Sequence, residues 1–372
     1  MQQTAGQVSV LVVDDSAFMR KALTIMLESD PAIKVIGTAR DGEEAVEKTK
    51  RLKPDLVTMD VEMPRMDGIA ALRQIMQHNP TPVLMVSSMT TEGAGATLDA
   101  LAMGAIDYIA KGQSFVSIDI VKIKDELLAK IKDIGRRKSL LMAMYRSRQI
   151  LQLKKAHDES AKLISGQAAA PEWKPRRRHQ HRYHHINVIV IGASTGGPPA
   201  LEAVIARLPR NLPVGVIVVQ HMPAAFSQPL ADRLDRVSKV TVRLAISGDP
   251  VSPGTVLIAP GGKQMALARS STGQHVVVSD YPPSAIYKPC IDNTLKSVAE
   301  RYGKFTMAAI LTGMGSNGLD GLKDVKNKGG IVIAQNEATC VVYGMPKAAI
   351  NAGLADHIVP IDEIADELLS YF

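Results

Sequence analysis

Ser194 sits in the run Ile191-Gly192-Ala193-Ser194-Thr195-Gly196-Gly197, after an apolar stretch over 187–191 and before a helix expected to start at Pro198 or Pro199. That placement puts a hydroxyl on a sharp strand-to-helix turn. Glycines on both sides allow the backbone angles of such a turn and a close substrate approach, and a helix N-terminus offers free N–H groups to an anion. Ser194 is therefore a candidate nucleophile, with a phosphate-binding turn or a merely tight turn as alternatives, since the spacing matches neither G-x-S-x-G nor a P-loop. A serine hydroxyl needs a base to take its proton, and an imidazole has a suitable pKa. His221, in Gln220-His221-Met222-Pro223 just past a strand expected beside the first, is the histidine of the C-terminal part so placed; His275 and His357 read as strand or surface residues. A third group, normally a carboxylate, must hold the imidazole in one tautomer. The matching loop, Thr312-Gly313-Met314-Gly315-Ser316-Asn317-Gly318, supplies Asn317.

A second constellation lies near the N-terminus. Asp14 and Asp15 end one expected strand, Asp60 ends another, Ser87 and Ser88 end a third, and Lys111 follows a fourth. Carboxylates brought together repel one another unless a cation intervenes, and oxygen ligands of this kind suit Mg²⁺. A lysine beside them could neutralise an added phosphoryl group. Each residue alone is weak evidence, because aspartate at a strand end is often a helix cap.

The elements that must position these groups alternate. Val8–Val13, Lys34–Gly37, Leu56–Met59, Pro82–Val86 and Ile106–Ile109 read as strands, with helices near Ala17–Glu28, Glu43–Arg51, Ile69–His78 and Thr97–Met103 and another from Ile118. This α/β pattern implies a five-stranded parallel sheet covered on both faces, with ligands at the carboxyl ends of its strands. From Ile118 the helical pattern runs on past Leu153, broken only weakly at Gly135, which is too long to bury within one small domain. Strands at Val188–Ile191, Val214–Val219, Val240–Leu244, Val256–Ile258, Val276–Val278, Met307–Leu311 and Ile331–Ala334 alternate with further helices, giving a second, doubly wound α/β domain. The chain thus divides into 1–130, a helical, basic, histidine-rich linker over 131–186, and 187–372.

Composition narrows the function classes. The net charge is +7, but residues 136–185 hold 13 Lys+Arg against 3 Asp+Glu, which leaves the remainder at −3. Neither flanking domain shows a basic face, which argues against nucleic-acid binding. The basic segment mixes Trp173 and Tyr183 with arginines and histidines, and it reads as a solvated tether rather than a grip for single strands or a metal site. No apolar run approaches the ~20 residues that span a bilayer, the first residues show no signal pattern, and two distant cysteines suit a reducing compartment. A cytoplasmic protein without membrane insertion is expected.

Several motifs carry a family resemblance. Val12-Val13-Asp14-Asp15-Ser16, Met59-Asp60-Val61-Glu62-Met63-Pro64, Met66-Asp67-Gly68, Val86-Ser87-Ser88 and Tyr108-Ile109-Ala110-Lys111 resemble a response-regulator receiver, a flavodoxin-like fold. The resemblance implies Asp60 as phosphoacceptor, Mg²⁺ held by Asp15, Asp60 and the Glu62 carbonyl with Asp14 nearby, Ser87 and Lys111 on the phosphoryl oxygens, and Tyr108 as an aromatic switch. Gly112 stands where receivers usually place proline. The runs Gly192–Gly197, Gln220–Pro223, Pro253 through Gly261, Lys288-Pro289-Cys290-Ile291-Asp292, Leu311–Gly315 and Ala334 through Pro346 are similar to the catalytic domain of the chemotaxis protein-glutamate methylesterase (CheB) family. That likeness implies that Ser194 attacks the γ-methyl ester of a chemoreceptor glutamate with His221 as base. The Met314 amide would help bind the oxyanion, and Thr195 would shape the pocket. Mg²⁺ would serve the receiver alone, with no cofactor at the esterase site. The implied partners are methylated chemoreceptors and a chemotaxis histidine kinase, with receptor glutamine deamidation as a companion activity. The family places aspartate where this chain has Asn317, serine is usual at Cys290, and histidine is common at Gln264. Because loss of the triad carboxylate costs a serine protease about 10⁴ in rate, an alternative is a phospho-responsive binding regulator with weakened catalysis. A third reading, a DNA-binding response regulator, lacks a helix-turn-helix pattern after residue 187.

Overall fold

The computed structural model describes residues 7–87, 90–111, 119–147, 185–270, 273–282 and 285–372. β1 (Val8–Val13) is an apolar run with all six residues buried, as a central parallel strand covered on both faces requires. It lies between β2 (Ile33–Ala39) and β3 (Leu56–Asp60). With β4 (Val83–Ser87) and β5 (Asp107–Ala110) these form a parallel sheet of order β2-β1-β3-β4-β5. Side chains cap the helices that follow the strands: Ser16 for α1 (Ala17–Glu28), Asp41 for α2 (Gly42–Leu52), Asp67 for α3 (Gly68–His78) and Thr90 for α4 (Thr91–Met103). α4 begins at Thr91 rather than Thr97, because the Thr90 cap starts it despite Gly93 and Gly95 in its first turns.

The single long helix expected from Ile118 is divided. α5 (Asp119–Arg136) stops at a turn on Arg137, and α6, described over 138–147, turns back onto the N-terminal domain. Leu127, Ile131, Ile134, Leu141 and Met142 are buried, and the Lys138 Nζ donates to Pro54 O at 2.7 Å. Gly135 is no break in the helix. A Cβ there would lie 2.3 Å from Val8 Cγ1, so the glycine lets α5 press onto β1. The Gly112 departure, Trp173, Tyr183 and the histidine-rich run to His184 lie outside the described residues.

The second domain has seven parallel strands in the order β14-β13-β12-β6-β7-β9-β8, with β6 (Val188–Ala193), β7 (Gly215–Gln220), β8 (Thr241–Leu244), β9 (Thr255–Ile258), β12 (Thr306–Ile310), β13 (Ile331–Gln335) and β14 (His357–Val359). An antiparallel hairpin of β10 (Gln264–Ser270) and β11 (Gly273–Ser279) packs on α9 (Ile291–Tyr302). β10 and the three-residue edge strand β14 were not anticipated, being mixed in polarity and very short. The chain order runs away from β6 in both directions, so the crevice at the carboxyl ends of β12, β6 and β7 is a topological switch point.

The domains share one buried apolar cluster. α4 packs on α7 (Gly197–Ile205) and α8 (Ala224–Val237), and the cluster runs from the core of the N-terminal domain through Tyr108 to Met222 and Phe226. Among the described residues no helix is long and apolar enough to cross a membrane. Both cysteines are free and buried, and burial pushes the Cys340 thiol up to about 12, away from redox or nucleophilic use.

Candidate active site

Ser194 occupies the turn between β6 and α7, at the switch point. The glycines after it are required by geometry. Gly196 has φ 73°, and a Cβ on Gly197 would meet Gln220 Oε1 at 1.8 Å. Gln220, the buried last residue of β7, uses its Nε2 to hold both Ser194 O (2.9 Å) and His221 O (3.0 Å), which ties the serine turn to the histidine strand. His221 N donates to Ala193 O at 3.1 Å. Pairing of β6 with β7 therefore carries the imidazole to the hydroxyl: His221 Nδ1 lies 3.2 Å from Ser194 Oγ.

On its other side the imidazole meets Asn317, whose Oδ1 lies 2.8 Å from His221 Nε2. The same Oδ1 accepts the Ile291 N–H at 2.9 Å, and the Asn317 Nδ2 donates to Asp292 Oδ2 at 2.6 Å and to Cys290 Sγ at 3.2 Å. An Oδ1 facing the ring calls for a proton on Nε2, which leaves Nδ1 to accept from the serine. The Tyr287 ring stacks on the imidazole, with centroids 4.4 Å apart and planes 5° apart. Burial pushes the His221 pKa down to about 4, against the Asn317 hydrogen bond and the Asp292 and Glu126 charges, so the ring is neutral at physiological pH.

Other sequence-predicted residues gather nearby. Thr195 is buried, and its carbonyl accepts the Thr312 hydroxyl at 2.9 Å. Gly313 presses against Ser194, since a Cβ there would lie 2.8 Å from Ser194 Cβ; its own N–H donates to Val342 O, and Met314 follows in the same loop. Gln264 bridges Tyr287 O and Cys290 N and so ties down the segment beneath the histidine. Asp320 is exposed and paired with Lys323, away from the site. Sequence reasoning missed Asp292, Tyr287 and Gln220 as parts of the site. Asp292 and Tyr287 lie in or beside a stretch that carries the family likeness, but an acid in a helix's first turn also reads as a simple dipole partner.

In the N-terminal domain the predicted acidic residues come together at the carboxyl ends of β1 and β3. Ligand oxygens of Asp14, Asp15 and Asp60 lie within 4.8 Å of one another. Lys111 Nζ lies 2.6 Å from Asp60 Oδ2 and 3.0 Å from Asp14 Oδ2. Burial, with the Asp14 charge, pushes the Asp60 carboxyl up to about 6 against the pull of Lys111. Hard oxygen donors crowded at this cost fit a divalent cation. Glu62 lies in the loop after β3, and the Ser87 hydroxyl, buried at the end of β4, donates to Gly93 O. Tyr108 is buried and stacks on Phe226, and its carbonyl accepts from Lys130, which also pairs with Asp107 and Glu126.

Two family models match the chain, the response regulator receiver domain over residues 10–120 and the CheB methylesterase over 189–368. Among curated relatives, a protein-glutamate methylesterase/protein-glutamine glutaminase of Nitratidesulfovibrio vulgaris is 48% identical, covering 98% of this chain and 99% of its own. Counterparts bearing the same name from Oleidesulfovibrio alaskensis and Lawsonia intracellularis are 46% and 43% identical. They cover 98% and 97% of this chain, and 99% and 98% of their own. With a receiver ahead of a hydrolase domain, and a serine, a histidine and an amide in hydrogen-bond sequence, the chain belongs to the CheB methylesterase family of carboxylic-ester hydrolases.

Proposed function

We propose that this enzyme hydrolyses glutamate γ-methyl esters on chemoreceptors in the cytoplasm and that phosphorylation of Asp60 by a chemotaxis histidine kinase releases its activity. The observation that carries the reading is the chain of contacts from Ser194 Oγ through His221 Nδ1 and Nε2 to Asn317 Oδ1. His221 takes the serine proton on Nδ1 as Ser194 Oγ attacks the ester carbonyl. The tetrahedral oxyanion is met by the Met314 N–H in the loop that packs on Ser194, while Thr195 shapes the pocket beside it. His221 then returns the proton to the departing methoxide, so that methanol leaves and a glutamyl ester of Ser194 remains. Water, deprotonated by the same imidazole, completes the hydrolysis. A glutamine side chain can follow the same course with ammonia as leaving group, which fits the double name of the relatives.

In the receiver, Asp14, Asp15, Asp60 and the Glu62 carbonyl would hold Mg²⁺, which supplies charge neutralisation for an incoming phosphoryl group. Lys111 and Ser87 would bind the phosphoryl oxygens. A phosphoryl group on Asp60 would break the direct Lys111–Asp60 contact and draw in the Ser87 hydroxyl, which disturbs β4 and β5 and with them Tyr108 at the domain boundary. α5 supplies Asp133 and, just past its end, Arg137 to a cleft of about 170 Å³ that reaches Gly315 and Tyr343 beside the catalytic loop. Movement of the receiver opens that side of the site.

The test is methanol release from methylated receptor membranes, with and without a small phosphodonor and Mg²⁺. Release that is stimulated by phosphodonor, lost in Ser194→Ala and unstimulated in Asp60→Asn supports the reading. Background release in every case would instead favour a binding regulator that keeps the fold without the turnover.

A further inference from the structure

We propose that Asp292 is a positioning residue that acts through Asn317 to set the tautomer of His221, so that an amide and a carboxylate in series hold the ring. The inference rests on Ser194 and His221 being the reacting pair.

An amide in the third position is ambiguous by itself. Its oxygen toward the ring selects a proton on Nε2, whereas its NH₂ toward the ring selects a proton on Nδ1 and leaves no base for the serine. Here the neighbours remove the ambiguity. The Ile291 N–H can only donate, and it reaches Asn317 from the ring side at 2.9 Å. The Asp292 carboxylate accepts, and it reaches Asn317 from the opposite side at 2.6 Å. A flipped amide would set NH₂ against N–H and oxygen against carboxylate, two repulsive contacts in a partly buried place. Asp292 is itself fixed, because its Oδ1 accepts the Gly321 N–H at 2.9 Å and it lies in the first turn of α9, where the helix dipole favours an anion. The second Nδ2 proton goes to Cys290 Sγ, so every donor and acceptor of the Asn317 amide has a partner.

The arrangement explains how the chain tolerates asparagine at this position. In Asn317→Asp two carboxylates would face each other at hydrogen-bond distance. One must bind a proton or the loop must move. Exchanging the pair, Asn317→Asp with Asp292→Asn, again satisfies all contacts: the amide at 292 donates to the carboxylate at 317 and still accepts the Gly321 N–H.

The experiment combines kinetics with ¹⁵N NMR of the histidine ring in the full-length protein, with the His221 signals assigned from a His221→Gln sample. The parent chain should show the Nε2–H tautomer. Asp292→Asn should shift His221 toward Nδ1–H and lower kcat for methanol release about 10²-fold or more with little change in KM. The exchanged pair should recover most of the kcat and of the Nε2–H tautomer lost in Asp292→Asn. Recovery by the exchanged pair separates this role from a fold defect in the single variants. An unchanged tautomer and kcat in Asp292→Asn, or an exchanged pair no better than Asp292→Asn, would overturn the proposal. Ser194-independent turnover would instead sink the methylesterase reading, while the tautomer measurement would still judge the role of Asp292.

Discussion

The Tyr108 ring of the receiver lies flat on Phe226 of the hydrolase domain, with centroids 4.4 Å apart and planes inclined by 13°. Tyr108 ends up there because it precedes Lys111 on β5, and Phe226 because it follows His221 into α8. The stack thus lies between Asp60, the proposed phosphoacceptor, and His221, the proposed base.

Phe226→Leu keeps an apolar, though smaller, side chain and removes the stack, which is worth about 0.5–1.5 kcal/mol beyond its buried area. If that energy favours the closed arrangement, unphosphorylated turnover should rise about two- to tenfold and phosphodonor stimulation should shrink. Methanol release by the two proteins, normalised to folded protein from a thermal melt, checks it. Unchanged basal release would remove this contact from the switch.

Arg233 pairs with Glu202 in its own domain at 2.8 Å and with Asp99 on α4 of the receiver at 2.9 Å. Asp99 is 62% exposed at its side chain, so the bridge is worth no more than about 1 kcal/mol. Asp99→Asn should therefore raise basal turnover by up to about fivefold. Added salt should raise the parent protein in the same direction and leave the variant nearly unmoved, because screening acts on the same pair.

His221 offers a pH test. Its pKa of about 4 reflects burial first, so the folded, covered protein binds fewer protons than the unfolded chain. Stability contributed by the neutral ring is present above the ordinary histidine value of about 6.5 and is lost as pH falls from there toward 4. The NMR midpoint of the His221 ring should lie well below 6.5 without phosphodonor and, on the proposed movement of the receiver, should climb when phosphodonor and Mg²⁺ are added. A midpoint that stays put on phosphorylation would mean that receiver movement does not rehydrate the base.

Gly197→Ala would drive a methyl into Gln220 Oε1. Gln220 is fully packed and cannot swing away, so its hold on Ser194 O and His221 O must loosen. We expect a stability loss of about 1–3 kcal/mol and a larger proportional loss in kcat, on the order of 10²-fold, read from a melt and from methanol release. Full activity would show that Gln220 does not set the serine–histidine geometry.

Much of this was legible in the residues. The buried run Val8–Val13, the apolar stretch before Ser194 and the caps before α1 and α3 each state a local preference that tertiary packing did not override. The strand-end residues Asp14, Asp60, Ser194 and His221 could be placed because parallel α/β sheets gather such positions along one edge. The Ser194–His221–Asn317 order also followed from chain position, once β6 was expected beside β7.

Tertiary structure decided what depends on a neighbour distant in sequence. Gly135 looked like a weak helix break and proved to be the point where α5 meets Val8, while the real interruption at Arg137 carried no proline or glycine. Asparagine at 317 reads as a lost carboxylate, because a sequence states which amide is present and not which way it faces. That direction is set by the Ile291 N–H and the Asp292 carboxylate, which lie more than twenty positions away and are brought to Asn317 when the start of α9 packs against the catalytic loop. The Tyr108–Phe226 stack belongs to the same class, since it exists only where two separately wound sheets meet. Local composition encodes the strands, turns and caps; the orientation of hydrogen bonds and the coupling between domains arise from packing, where one group's choice is made by another's fixed polarity.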